Sequence, residues 1–572
     1  MANRVLSNYV RWLLCEKLNN DEREELCNMD AKKKDDAFFQ DIEFGTAGMR
    51  GILGPGTNRL NRFTVKKATI AFAMYLNETF KDVEKKSVAI AYDNRWFSPE
   101  FCALSAEILN EYGIDAYVFD ALRPTPELSY AVRELHCVGG IMITASHNSK
   151  EYNGYKIYDE TGCQLVPTKI ARVIEILADL PDELTVEPVP VAVKGETHTI
   201  PSSLDDTYVA SVESLQINPN LNKKGFKIVY TPQHGTSYEN AMRVFNELGY
   251  NVIPVAAQCE HDPNFGATLS PNPETAEAFI EPIKLAEEVK ADLIVMTDPD
   301  GDRCGLAYHT DAGEWIRLTG NESAAMLIDY ILSNKSAKGK LPANGVLYDT
   351  VVTSDLGRKI AKSYGVNVES FLTGFKYIGH QIDHYEKIGS GPTFVFGYEE
   401  SYGCLVGPFV RDKDGIQAIM LYCEMALFHH LHGKNLGQAF DELQAKYGWH
   451  KATTKSFMFP GSDGKEKMNK IIDNVRNNPP KSLHGLEVVE FYDFLTDEKL
   501  DCRTGEKTHL DLDSSNVLKF VFDDSSWLAM RPSGTEPKCK VYVEGVSPNN
   551  REEATDKALG LIKEFCDFAG ME

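Results

Sequence analysis

Cys137-Val138-Gly139-Gly140-Ile141-Met142-Ile143-Thr144-Ala145-Ser146-His147-Asn148 is the stretch on which the reading of this chain turns. Its first seven residues form a short apolar run that reads as a buried strand, and Thr144 onward reads as the polar loop that closes it. In open α/β sheets, ligands collect just outside the carboxyl ends of strands. A loop there that continues through Lys150, Asn153, Gly154 and Lys156, with the Ser146 hydroxyl, the His147 imidazole, the Asn148 amide and two lysine amines, can hold a nucleophile and handle an anion. Ser, Asn and Gly also build ordinary surface turns. What separates the two readings is that three more loops of similar build occur further along.

Working outward, residues 4–18 and 21–38 read as helices, and a turn-rich segment follows, Phe44-Gly45-Thr46-Ala47-Gly48-Met49-Arg50-Gly51. Strands at 87–92 and 114–119 bracket a helix at 98–111, an alternation that predicts a mainly parallel sheet. Residues 180–202, with four prolines, read as a connector. The alternation restarts at 226–230 and reaches a strand at 292–296, with Thr297-Asp298-Pro299-Asp300-Gly301-Asp302-Arg303 at its carboxyl end. A third cycle carries a strand at 393–396 into Gly397-Tyr398-Glu399-Glu400-Ser401. After about residue 450, strands crowd together and helices move to the ends, with Arg531-Pro532-Ser533-Gly534-Thr535-Glu536-Pro537-Lys538 between two of them. The expected fold is therefore three consecutive α/β domains with mixed, mainly parallel sheets plus a C-terminal α+β domain around a central cleft. Their expected spans are residues 1–205, 206–322, 323–450 and 451–572.

With 572 residues, 43% of them hydrophobic, the chain can bury several cores. A net charge of -24 argues against non-specific binding to nucleic acid or anionic membranes, and any anionic substrate must be met by locally gathered cations. No apolar run approaches the roughly 20 residues of a membrane helix, and the N-terminus does not read as a secretory signal. Twelve cysteines without a C-x-x-C pair fit reduced thiols. A cytoplasmic protein is expected.

The sharpest chemistry lies in Asp298, Asp300 and Asp302. Alternate residues of a short loop place three carboxylates together, which repel unless a cation sits among them. All-oxygen ligands with open positions suit Mg²⁺ shared with a phosphate. An EF-hand is excluded, because Gly301 stands at loop position four and position twelve is His309. A phosphoaspartate phosphatase with Asp298 as nucleophile is a rival, but Asp302 stands where that family usually has Thr or Val. The loop from Arg531 to Lys538 offers a guanidinium, two hydroxyls, backbone N–H groups near Gly534 and an amine, which together can cradle phosphate. Glu399 and Ser401 pair an acceptor with a donor–acceptor suited to sugar hydroxyls. Arg50, Lys376 and Lys413 are cations in or beside glycine-containing loops. No Walker-type loop or complete G-x-G-x-x-G occurs, so no nucleotide site is indicated.

Taken together and in this order, the four loops resemble the α-D-phosphohexomutase family, and within it the long bacterial-type phosphoglucomutases and related phosphopentomutases. The resemblance runs from Phe44 to the Arg531 loop. It implies that Ser146 is a phosphoserine and that Asp298, Asp300 and Asp302, completed by the Ser146 phosphate, hold Mg²⁺. It implies that Glu399 and Ser401 read sugar hydroxyls and that Arg531, Ser533, Gly534 and Thr535 bind the distal phosphate. Arg50, His147, Lys156, Arg303 and Lys413 fall among the cationic and proton-handling groups, with Lys413, Lys156 and His147 all open as the base, and Arg303 and Lys376 are expected to bind substrate. Ser149 departs from the proline commoner after Ser-His-Asn. The implied reaction interconverts glucose 1-phosphate and glucose 6-phosphate, with glucose 1,6-bisphosphate as intermediate and activator. Mutases for pentose or mannose phosphates are the same-family alternatives. The expected partner is a small phosphosugar, with neither nucleic acid nor membrane.

Overall fold

A computed structural model describes residues 2–45, 48–459, 464–533 and 538–571, which fall into two compact units. The first comprises Met1–Thr319, Phe375–Gly391 and Ser401–His432, and the second Gly320–Gly374, Pro392–Glu400 and Gly433–Glu572.

The first unit is built on two mixed sheets. In one, the strands run in the spatial order Met49–Ile52, Tyr152–Asp159, Gly139–Ile143, Lys86–Tyr92, Ile114–Val118 and Thr197–Thr199. Gly139–Ile143 is buried along its whole length, as expected of a central strand with helices on both faces. Ile141 and Ile143 are fully buried, each contributing roughly 1.5–3 kcal/mol relative to exposure. This strand lies parallel to Lys86–Tyr92, so both end on the same edge of the sheet, and that edge is where Ser146 sits. Two expectations shift here. Asn153, Gly154 and Lys156 are not loop residues but lie on the strand Tyr152–Asp159, antiparallel to Gly139–Ile143. The proline-rich connector contributes Thr197–Thr199 as an edge strand, because Glu196 and Thr197 find backbone partners along Ile114–Val118.

The other sheet has the order Trp315–Leu318, Cys304–His309, Leu293–Thr297, Lys227–Thr231 and Asn251–Pro254. Leu293–Thr297 is buried throughout and pairs antiparallel with Cys304–His309, with Thr297 opposite Cys304. Asp298 to Arg303 is thus a tight hairpin loop, closed by the Asp298 N–H donating to the Arg303 carbonyl at 3.2 Å. Gly235 lets the neighbouring loop approach it, since a Cβ there would lie 2.4 Å from the Cα of Pro299. At the N-terminus, the expected helix over 21–38 is two helices, Asn20–Asn28 and Ala31–Phe38. Asp30 breaks it by capping the second helix through the Lys33 N–H, as short polar side chains do at N-caps.

In the second unit, parallel strands Asn367–Phe371, Gly345–Thr350 and Thr393–Glu399 lie side by side. The C-terminal sheet is antiparallel, from Trp449–Met458 through Lys538–Ser547, Trp527–Pro532, Leu518–Phe522 and Leu486–Asp493 to two short outer strands. Helices Gly464–Asn477 and Arg551–Ala569 contribute Met468, Ile472, Leu561 and Phe565 to its core. This sheet is pinned to the N-terminus of helix Asp355–Ser363. Glu544, fully buried, accepts from the Ser354 hydroxyl, from the Asp355 N–H at 2.9 Å and from Trp527 Nε1 at 2.8 Å, with His450 Nδ1 3.1 Å away. A carboxylate at a helix N-terminus meets unpaired N–H groups and the positive end of the dipole.

Burial alone would raise the Glu544 carboxyl, but His450 and these hydrogen bonds hold it down, from an ordinary 4.5 to about 2. A folded-state value below the unfolded one means stability that is present above the ordinary value and lost as pH falls toward the folded one. The melting temperature of wild type should therefore exceed that of Glu544→Gln at neutral pH, and the gap should close between about pH 4.5 and 2. Thermal scans across that range check it, and a gap unaffected by pH would refute the assignment.

Candidate active site

Ser146 follows its strand directly and is 3% exposed. Its backbone is left-handed, with φ +52°, a conformation that non-glycine residues seldom adopt. From this position its hydroxyl donates to Asp298 Oδ2 at 2.8 Å, and His147 Nδ1 lies 3.2 Å from Ser146 Oγ. Arg50, exposed on Met49–Ile52, donates to the Asn148 side-chain oxygen at 3.1 Å and so reaches the same loop.

Asp298, Asp300 and Asp302 converge, each with a carboxylate oxygen within 4.8 Å of the others, and all three are buried. Lys156 Nζ lies 2.7 Å from Asp300 Oδ2 and 3.8 Å from Asp302 Oδ2, and Lys413 Nζ lies 3.2 Å from Asp302 Oδ2. The Thr125 hydroxyl donates to Asp300 Oδ2 at 3.0 Å, and the Arg303 N–H donates to Asp298 Oδ1 at 3.0 Å. Burial, then the neighbouring Asp300 and Asp302, push the Asp298 carboxyl well above its usual range. Burial acts the same way on Asp300, but the Lys156 ammonium and the hydrogen bonds from Lys156, Asp298 and Thr125 overcome it and hold that carboxyl low.

The residues fit a hard divalent cation. The donors are all carboxylate oxygens, and Asp300 Oδ1 and Asp302 Oδ1 are buried with no hydrogen-bond partner among the described residues. The Asp298 carboxylate has one oxygen taken by Ser146 and the other by the Arg303 N–H, which suits a ligand more than an attacking nucleophile. Arg303 itself pairs with Glu274 at 2.7 Å.

The other expected residues are placed as follows. Lys376, buried on helix Phe375–Ile388, and Ser401 belong to the first unit. Glu399, buried at the end of its strand, accepts from the Gly374 N–H at 2.9 Å and belongs with Arg531 and Ser533 to the second. Ser533 donates its N–H to the Lys538 carbonyl at 2.7 Å, while Gly534 and Thr535 lie outside the described residues. Glu400, which the sequence reading left unused, is half-buried beside Glu399, Arg531 and Lys540. Burial and Glu399 raise its carboxyl to about 7 against the pull of the two cations. Its duplication next to Glu399 was the available signal. Thr125 was also missed, and only its place after Pro124, at the start of helix Thr125–Glu134, could have flagged it.

Models of the phosphoglucomutase/phosphomannomutase family match four successive segments: α/β/α domain I at residues 41–182, domain II at 206–313, domain III at 319–447 and the C-terminal domain at 480–559. The chain belongs to this family. Among its relatives, the phosphoglucomutase of Staphylococcus epidermidis is 37% identical over 519 residues, covering 90% of this chain and 93% of that one. Among solved structures, the fold matches the phosphoglucomutase pp63/parafusin of Paramecium at a TM-score of 0.67 and 18% identity, covering 92% of this chain and 94% of that one. It also matches a phosphoglucomutase/phosphomannomutase family protein of Burkholderia thailandensis at 0.65 and 18%, covering 92% and 97%. In this family member, as in any acidic site, the donor set can be tested directly by titration. Calorimetry with Mg²⁺ should give one site on the wild type, weakened by roughly 10²-fold or more in Asp300→Asn and Asp302→Asn; undiminished binding would place the ion elsewhere.

Proposed function

We propose that the chain is a phosphoglucomutase that interconverts glucose 1-phosphate and glucose 6-phosphate through a phosphoserine at Ser146 and a glucose 1,6-bisphosphate intermediate. The observation that carries this reading is the Ser146 hydroxyl bonded at 2.8 Å to one of three clustered, buried carboxylates, with two lysine ammonium groups on the same cluster. The staphylococcal relatives, at 35–37% identity over about 90% of the chain, carry that name and support glucose as the sugar.

Phosphoryl transfer depends on in-line positioning and charge neutralisation more than on covalent chemistry. Asp298, Asp300 and Asp302 would hold Mg²⁺, which supplies Lewis-acid stabilisation of phosphoryl oxygens when bound. The chain's own residues do the rest. Lys156 and Lys413, paired to the carboxylates as ammonium groups, keep positive charge beside Ser146. Arg50 adds a cation on the exposed side of the loop. The Ser146 hydroxyl directs its proton at Asp298 Oδ2; with Asp298 a metal ligand and both lysines committed as donors to carboxylates, His147, whose Nδ1 lies 3.2 Å from Ser146 Oγ, is assigned to exchange protons with the reacting oxygens. In one half-reaction phosphoserine gives its phosphoryl group to the free hydroxyl of the hexose phosphate: the bond from Ser146 Oγ to phosphorus breaks, His147 takes the sugar hydroxyl's proton and the freed Ser146 oxygen regains one. In the other, Ser146 attacks the second phosphate of the bisphosphate, the sugar–oxygen–phosphorus bond breaks, and the proton His147 takes from Ser146 is returned to the departing sugar oxygen. Glu399 and Ser401 read the sugar hydroxyls. Arg531 and Ser533, with Gly534 and Thr535, hold the phosphate that is not reacting, with Arg303 and Lys376 as further phosphate contacts.

Incubation with glucose 1,6-bisphosphate should leave one acid-stable phosphoryl group on Ser146, detected by intact-mass and peptide analysis. Ser146→Ala should lack it and lose activity by about 10⁴-fold or more. A phosphoryl group lost in acid and released by hydroxylamine, as an acyl phosphate is, or a fully active Ser146→Ala, would defeat the reading. Comparison of kcat/KM for glucose, mannose and ribose 1-phosphates should favour glucose, and a larger value for either rival would reassign the sugar.

A further inference from the structure

Two residues outside the expected site grip the Ser146 loop. Strand Lys86–Tyr92 ends on the same edge of the sheet as Gly139–Ile143, and Asp93 and Arg95 follow it with side chains fully buried. The Arg95 guanidinium has five N–H donors, and each finds an acceptor. Nε donates to Asp93 Oδ2 at 3.0 Å. Nη1 donates to the carbonyls of Ser149 at 2.8 Å and Tyr152 at 2.9 Å, and Nη2 to those of Ser146 and Asn148, both at 2.6 Å. Asp93 is equally committed. Its Oδ1 accepts from the Arg95 N–H at 3.0 Å and the Ser98 hydroxyl at 2.9 Å, and its Oδ2 also accepts from the Thr144 hydroxyl at 2.7 Å. The Thr144 oxygen in turn accepts the Ser146 N–H at 2.8 Å.

Both backbone polar groups of Ser146 are therefore spoken for by one buried network, the N–H through Thr144 and the carbonyl by Arg95. The same residue holds the left-handed conformation, φ +52°. An unusual backbone conformation persists only where its surroundings over-determine it, and here the surroundings are these bonds. The network touches neither the Ser146 hydroxyl nor the carboxylate trio by hydrogen bond, so its action on the chemistry runs through the direction in which the serine side chain leaves the backbone.

We propose that Arg95, oriented by Asp93 and assisted by Thr144, is a positioning residue for the nucleophile: it clamps the Ser146 loop so that Oγ faces Asp298. This rests on the reading of Ser146 as the phosphoryl carrier. Arg95 was not singled out by charge or by place in a loop with glycine, yet its fork geometry matches the need. Four carbonyls converging from the loop and the first residue of the strand after it require a rigid, planar donor, which a lysine ammonium cannot replace.

The test uses the full chain with Thr144→Val, Thr144→Ser, Arg95→Lys and Ser146→Ala, read by steady-state kinetics with glucose 1-phosphate and by melting temperature. Thr144→Val, which removes the acceptor of the Ser146 N–H, should lower kcat on the order of 10²-fold, the scale expected for a misplaced reacting group. Its KM should stay within about twofold, since the sugar contacts are untouched. Thr144→Ser, which keeps the hydroxyl, should recover most of the lost kcat, and Arg95→Lys should show the same kcat-selective loss if it folds. A Thr144→Val enzyme with wild-type kcat, or a loss that falls on KM or is not recovered by Thr144→Ser, overturns the clamp. Full turnover in Ser146→Ala overturns instead the phosphoserine reading on which the clamp rests, so the two failures are told apart.

Discussion

Three carboxylates buried within 4.8 Å of one another are the constraint around which the first unit is arranged. Their mutual repulsion is undiminished by water, and each must be answered by a donor or a cation. The fold brings those answers from separate parts of the chain. Ser146 comes from the end of one central strand, Lys156 from its antiparallel neighbour, Thr125 from the start of a helix, and Lys413 from a segment more than a hundred residues beyond the trio. Two parallel strands ending on a common edge, and a hairpin holding the aspartates at the end of a third, make the convergence possible. On the proposed function, the residues that stabilise the acidic cluster are also the ones assigned to phosphoryl transfer, so stability and mechanism would draw on the same side chains.

The chain's overall charge of -24 opposes an anionic substrate, and the site answers this by keeping its cations close and paired rather than by adding to their number. Lys156 and Lys413 each lie against carboxylates instead of projecting into solvent. A pairing of that kind holds an ammonium group in place in advance, so that little rearrangement is left for the moment of transfer.

Much of this was legible in the sequence wherever local pattern and chemistry coincide. An apolar run followed by Ser146 could be read as strand and loop, and Asp-x-Asp-x-Asp after Ile294-Val295-Met296 could be read as a metal loop, because both signals are short-range. The helix break at Asp30 was missed because a capping aspartate inside an apolar-periodic stretch looks like any other polar position. Lys156 was read as part of a loop because Asn153 and Gly154 resemble turn residues. Gly154 is there instead because a Cβ would come 2.2 Å from the Thr144 carbonyl, a close approach set by a strand pairing no local pattern reveals. Thr125, Asp93 and Arg95 act through contacts across 51 to 175 positions of sequence, and such partners leave no mark on residue spacing.

The left-handed backbone at residue 146 also bears on which amino acid can serve there. Serine and threonine offer the same hydroxyl, and threonine phosphate is chemically just as competent. A side chain branched at Cβ, however, is a rare outlier at positive φ, because its second substituent crowds the neighbouring peptide. Selection of the smaller alcohol at this position follows from backbone sterics before any question of reactivity arises.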